Sequence, residues 1–263
     1  MQLEYRLADP TKNITLLVTS PCDVQSCTRI AAELMALEPA AEQLGFLSDG
    51  DDGADICLRM SGGEFCGNAT MSAGAYVCMM RGLDMLDCRV RVYGTKDPVK
   101  VSVIKNGNNY SCKVEMPRPT RMRRQSFTVN GEAHEFDIVC FSGITHLIST
   151  GILTRDQAEE NIRAWCRELG CEALGIMLVD PDCRGIEPLV YVAGIDSLFW
   201  ESSCASGTTA VGMYLSESGV NRACFSEPGG ELCFELMPDG TPVLGGKVSF
   251  GEVKTAQLPD ITD

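Results

Sequence analysis

Two ten-residue stretches hold the residue types that could do chemistry. They are Ser61-Gly62-Gly63-Glu64-Phe65-Cys66-Gly67-Asn68-Ala69-Thr70 and Trp200-Glu201-Ser202-Ser203-Cys204-Ala205-Ser206-Gly207-Thr208-Thr209. Each sets a cysteine among small residues at the mouth of a predicted helix. With Cys66 laid on Cys204, Thr70 falls on Thr208, Gly74 on Gly212 and Tyr76 on Tyr214. That reads as an internal duplication of two half-molecules. A helix start offers unpaired N–H groups and the positive end of the dipole. A thiol placed there loses its proton more readily and can act as a base or nucleophile. Gly67 and Gly207 let backbone approach a ligand closely. Two such starts facing each other would give two sulfurs and a double anion site with room for one small carboxylate. A free cysteine is more often a small buried hydrophobe, and this chain has 14 of them. Their placement in duplicated helix entries is what singles out Cys66 and Cys204.

Elements must hold those two stretches in place, and composition bounds what they can be. The chain has 263 residues and a net charge of −14 at pH 7. This length suits one large domain or two small ones, and the duplication favours two. The expected division is 1–118, carrying Cys66, and 119–263, carrying Cys204, with the last strand free to return to the first half. The acidic balance argues against nucleic acid or an anionic membrane as partner. The basic run Arg118 to Arg124, flanked by Pro117 and Pro119, reads as a solvated connector. No apolar run is long enough to span a bilayer, and the N-terminus lacks the charged-then-apolar order of a signal peptide. A cytoplasmic protein with reduced thiols is expected. Cys22 with Cys27, and Cys166 with Cys171, have poor spacing for zinc. With only His134 and His146 available, a structural metal is not expected.

The pattern along the chain predicts an α+β fold. Residues 2–7 and 14–19 read as strands joined by a loop holding Asn13, whose default role is to close a turn. Residues 27–43 carry Ile30, Leu34, Leu37 and Ala41 at helical spacing, which puts Glu42 at a helix C-terminus. There it opposes the dipole; such a residue is usually solvated, or it is held for a cationic ligand. Strand 55–60 runs into the first cysteine stretch. The helix from Asn68 to about Arg81 is apolar all round and needs strands wrapped around it, which 88–93, 99–104 and 110–116 supply. Strands at 126–129 and 134–141 open the second half. His146 lies in an apolar setting that suits a core histidine. An amphipathic helix follows at 155–169, then strands at 175–179 and 187–192, a helix from about Ser206 to Ser216, the Pro228-Gly229-Gly230 turn, and strands at 231–236 and 246–252. Each half is thus a curled, mostly antiparallel sheet around one central helix.

Glu64-Phe65-Cys66-Gly67-Asn68-Ala69-Thr70 and Cys204-Ala205-Ser206-Gly207-Thr208 resemble the paired cysteine motifs of the diaminopimelate epimerase superfamily. The similarity is closest to its histidine racemase branch, known from opine-type metallophore biosynthesis of the staphylopine kind. Met60 to Ser72, Trp200 to Cys204, Pro228-Gly229-Gly230 and Glu42 to Phe46 carry it. The resemblance implies two pseudo-symmetric domains, a proton-transferring pair in Cys66 and Cys204, no pyridoxal cofactor, and substrate contacts at Asn13, Glu42, Asn68 and Glu201. Members are often homodimers, which the sequence leaves open. There are departures. Diaminopimelate epimerases clamp a distal carboxylate with an arginine shortly before the second cysteine, and Ser197 to Ser203 has none. Most members have glycine after the second cysteine, where this chain has Ala205.

These readings lead to one expected activity, racemisation at the α-carbon. One thiolate removes the proton from one face and one thiol returns a proton to the other. Each sulfur would need to be about 3–3.5 Å from that carbon. N–H groups of Gly67, Asn68, Ala205 and Ser206 would steady the charged carboxylate. Glu42, Glu201 and Ser202 would contact the rest of the substrate, an amino acid expected to be histidine. Rival readings are a racemase of diaminopimelate or proline, a non-catalytic amino-acid binder, and a thiol-redox protein.

Overall fold

The computed structural model describes residues 1–258. The chain divides into two compact units, residues 1–115 with the chain's end from 245, and residues 116–244. Each combines helices with a largely antiparallel sheet.

The first unit opens with β1 Gln2–Pro10 and β2 Thr15–Val18, then α1 Cys27–Leu37, β3 Gln43–Asp49, β4 Ile56–Met60, α2 Gly67–Met80, β5 Met85–Val92, β6 Val99–Asn106 and β7 Asn109–Glu115. Neighbours in sequence are neighbours in the sheet. Most pair antiparallel, but β2 with β3 and β4 with β5 run parallel. A parallel pair needs a crossover, and these crossovers are α1 and α2. The two helices take different roles. Helix α1 lays Ile30 and Leu34 on a cluster with Leu3, Leu16, Val18, Leu44 and Phe46. Helix α2 packs against β1, β2, β4, β5, β6 and β7 and buries nearly its whole length. Gly74 permits that fit: a Cβ there would come 2.6 Å from a Val101 methyl.

Helix α1 is shorter than its apolar spacing suggests. It ends at Leu37, two residues before Pro39, because the residue preceding a proline is excluded from helical geometry. Glu42 is therefore not at a helix end. It stands in the connection directly before β3.

The second unit runs β8 Arg121–Val129, β9 Glu132–Cys140, β10 Thr145–Thr150, α3 Arg155–Leu169, β11 Ala173–Val179, β12 Ile186–Val192, β13 Ser197–Trp200, α4 Ala205–Ser216, β14 Arg222–Glu227 and β15 Gly230–Leu236. Its sheet is ordered β13-β12-β11-β10-β9-β8. Strand alternation sends Phe136, Ile138, Leu147, Leu174, Ile176 and Leu189 to one face, where they meet Ile162 and Trp165 of α3. It sends Val139, Ile148, Met177 and Val179 to the other, where they meet Val211 of α4 and Phe225 and Phe234 of the β14–β15 hairpin. Both units thus have two α-helices, as the sequence patterning suggests, the second of each pair being the one capped by Cys66 or Cys204. Helix α3 spans the expected residues and starts with a capping box between Thr154 and Gln157.

Two expectations fail here. Arg121 to Arg124 are not connector but the first part of β8, an edge strand of the six-stranded sheet. Charge on an edge discourages pairing with other chains, and Arg124 binds Asp137 on the next strand at 2.9 Å. The cysteines are also not all reduced. Register places Cys224 opposite Cys233 on the β14–β15 hairpin, and the two form a disulfide. The other twelve are free thiols.

β16 Pro242–Phe250 begins in the second unit and ends in the first, followed by β17 Lys254–Gln257. β16 pairs with β7 and with β1, which joins the two ends of the β1–β7 sheet into a closed ring of eight strands. β17 adds to the outer part of β1. Among the described residues no helix is long and apolar enough to cross a membrane.

Candidate active site

In the first unit, β4 delivers the chain to a loop that turns at Gly63, whose φ of +79° lies in the left-handed region open to glycine. The chain then straightens at Cys66, which caps α2. The Cys66 sulfur accepts the Ala69 N–H at 3.4 Å, taking one of the donors that a helix start leaves unpaired. Gly67 and Asn68 form the buried first turn. Thr70 ties the turn down by donating to the Cys66 carbonyl at 2.6 Å.

β4 runs antiparallel to β3, so its end lies beside the start of β3, and Ser61 N–H reaches the Leu44 carbonyl at 3.0 Å. Asn13 and Glu42 belong to this same sheet edge. Glu42 N–H donates to the Ile14 carbonyl at 2.8 Å. The Asn13 amide donates to the Glu42 carboxylate at 2.6 Å. Gln43 donates to Asn13 Oδ1 at 2.5 Å and to Thr15 Oγ at 2.8 Å. The structure therefore joins Asn13 to Glu42 through a network that also includes Gln43, a residue not among the expected substrate contacts.

The second unit repeats the helix start. Cys204 caps α4, Ala205 begins it, and Thr208 donates to the Cys204 carbonyl at 2.8 Å. This is the bond Thr70 makes to Cys66, at the residue the duplication aligns with it. Gly212, aligned with Gly74, again gives close packing, since a Cβ there would overlap the Phe234 ring. Gly207 clears space for Met177 and for the Cys204 sulfur.

Around Cys204 the surroundings differ from those of Cys66. Cys204 is buried, and burial first, then Glu201 and Glu227, push its thiol well above the ordinary range. The thiol hydrogen-bonds to Glu201. Ser206 Oγ sits 3.6 Å from the sulfur and 2.9 Å from His146 Nε2. Ser202 contributes its carbonyl, which accepts Gly229 N–H at 2.7 Å and so pins the Pro228-Gly229-Gly230 turn.

Sequence patterning does not mark two groups found here. His146 is fully buried, as a core histidine would be, but it also supports Ser206. Burial holds its imidazole neutral, with a pKa lowered to about 3. It fits because Gly175 lies next to it on β11; a Cβ there would come 2.2 Å from His146 Nδ1. Glu227 is the second. Its carboxyl accepts Cys204 N–H at 2.7 Å and contacts Thr208 Oγ. The only advance sign of Glu227 is strand alternation, which turns it inward with Phe225 just before the glycine-rich turn. A cavity of about 830 Å³ is bounded partly by Glu227, Asp180 and Arg184, and Cys204 does not line it.

A family model for the N-terminal domain of the histidine racemase CntK matches residues 2–241. The chain belongs to the histidine racemase family. A histidine racemase of Staphylococcus aureus is 30% identical over 88% of this chain and 87% of its own length. One from Fusobacterium nucleatum is 30% identical over 95% of this chain and 97% of its own. Solved structures of other proteins share the fold of this chain. A protein of Pseudomonas aeruginosa described as a predicted epimerase superposes with a TM-score of 0.72 at 16% identity, covering 99% of this chain and 100% of its own. A hydroxyproline epimerase of Agrobacterium vitis with bound trans-4-hydroxy-L-proline gives 0.70 at 12% identity, covering 99% and 94%.

Proposed function

We propose that this chain racemises histidine by passing protons between its α-carbon and two thiols, Cys66 and Cys204. The observation that carries the reading is the repeated helix start. In a chain of the histidine racemase family, two cysteines cap two buried helices, each with a threonine one turn on bonded to the cysteine carbonyl. We read the two units as pseudo-symmetric domains of the diaminopimelate epimerase kind, each supplying one thiol to opposite faces of one α-carbon.

In this reading, one sulfur enters as thiolate and takes the α-proton while the C–H electron pair moves toward the carboxylate. The other sulfur enters as thiol and gives its proton to the opposite face. Cys204, buried beside two carboxyls, is the thiol at rest, which makes Cys66 the first base. The growing negative charge rests on the substrate carboxylate, where N–H groups of Gly67, Asn68, Ala205 and Ser206 at the two helix starts oppose it. Cys204 N–H is already held by Glu227 and Ala69 N–H by Cys66, so those two take no part. Glu42, oriented by Asn13, is assigned to the cationic part of histidine, and Glu201 to the thiol of Cys204.

The test is a racemase assay followed by circular dichroism with L-histidine against a panel including proline and diaminopimelate. L-histidine is expected to lose optical activity fastest, and in deuterated water the inverted product should carry deuterium at the α-carbon. Cys66→Ser and Cys204→Ser should each lower the rate by about a thousandfold or more. Near-normal racemisation by either variant, or inversion with full retention of hydrogen, would refute the two-thiol mechanism.

A further inference from the structure

Glu227 has no step in that proton transfer, yet it is buried against the residue that does. It lies at the end of β14 and reaches across to the first turn of α4. Oε2 accepts Cys204 N–H at 2.7 Å, and Oε1 contacts Thr208 Oγ. Counting protons decides what this contact is. A threonine hydroxyl has one hydrogen. Thr208 Oγ lies 2.8 Å from the Cys204 carbonyl, which can only accept, and Thr70 makes the equivalent bond to the Cys66 carbonyl at 2.6 Å. With the threonine hydrogen used there, the hydrogen between Thr208 and Glu227 belongs to Glu227.

We propose that Glu227 is a positioning residue for Cys204 that works as an un-ionised acid, its hydroxyl holding Thr208 and its carbonyl oxygen holding Cys204 N–H. The inference rests on the racemase reading above. The surroundings support this form. Burial pushes the Glu227 carboxyl up to about 8, with Glu201 adding to the rise and the hydrogen bond from the Cys204 backbone opposing it. The groups acting on it are Glu201 on the segment after β13, Cys204 at the start of α4 and Thr208 on α4; Asp180 and Arg184 on the loop after β11 line the same cavity. The cavity also takes in Arg155 and Glu187, which bind each other at 2.5 Å.

The neutral acid gives the helix start a fixed geometry without adding a second charge beside the thiol. When Glu227 ionises, it loses its donor to Thr208 and places a new anion next to Cys204. Cys204 then becomes a weaker acid, so its return of a proton to the opposite face of the α-carbon slows as pH rises. Glutamine reproduces the un-ionised acid, because its amide can donate to Thr208 while its carbonyl accepts from Cys204. Leucine reproduces neither.

The experiment compares pH profiles of L-histidine racemisation for the wild type, Glu227→Gln and Glu227→Leu. Infrared difference spectra of wild type against Glu227→Gln are recorded alongside. The glutamine variant should keep its neutral-pH kcat within about threefold of wild type, and its alkaline fall should move up by about one pH unit or more. The leucine variant should lose about a hundredfold in kcat with KM little changed. At neutral pH the difference spectrum should contain the carbonyl stretch of an un-ionised carboxylic acid, fading as pH passes about 8. Equal losses in both variants, an unmoved alkaline limb, or no acid band would overturn the proposal. Should the wild type racemise no amino acid at all, the functional reading falls, and the infrared band alone decides the state of Glu227.

Discussion

The places of Cys66 and Cys204 at two helix starts were legible in the sequence because their setting is local: small residues, a helix behind, and the same spacing twice. His146 and Glu227 were not, because what defines them is distant in the chain. His146 meets Ser206 across 60 residues, and Glu227 meets Cys204 across 23. No window of sequence displays such pairings. The buried carboxyl also has a cost that can be measured apart from activity. Its pKa in the fold is raised from an ordinary 4.5 to about 8. A raised value means that its share of stability is complete at low pH and is lost as pH climbs from the ordinary value to the raised one. The loss is about 1.4 kcal/mol for each pH unit in that window. Glutamine does not titrate. Urea unfolding of Glu227→Gln against wild type should therefore show the variant gaining relative stability between about pH 5 and pH 8. A constant difference across that range would mean that Glu227 is ionised in the fold.

Single elements were read well where one force dominated. Helix α3 matches its expected residues because amphipathic spacing, a capping box and Gly170 at its end agree with one another. Helix α2 was legible as a buried helix from its apolar composition alone. Errors came where two signals competed. Apolar residues continued at helical spacing through Leu37 toward Ala41, but Pro39 stopped the helix, and that moved Glu42 to the start of β3, beside Asn13. In β8, arginines suggested solvent, while alternation of Phe127 and Val129 and pairing with β9 made a strand. Strand pairing also explains why β11 needs glycine opposite His146. Gly175→Ala should push the imidazole off Ser206, lowering the melting temperature through a loss of about 1–3 kcal/mol and reducing kcat together with it. Wild-type stability and turnover in that variant would show that the pocket relaxes freely.

At the scale of the molecule, the closed ring of the first unit depends on a strand from the far end of the chain. A fragment of residues 1–115 lacks β16, so β1 and β7 are left as open edges. It should show no cooperative unfolding transition in urea. Joining residues 245–258 ahead of residue 1 should restore one, since Met1 and Leu258 already exchange backbone hydrogen bonds at 2.8 and 2.9 Å. A cooperative transition in the bare fragment would show that the ring is not needed for folding. The same return of β16 sets an order of events at the ribosome. The strands up to residue 115 cannot close until residues 242–250 have emerged, so they wait, unsealed, while more than a hundred further residues are made, and that interval is when a nascent chain has most need of a chaperone.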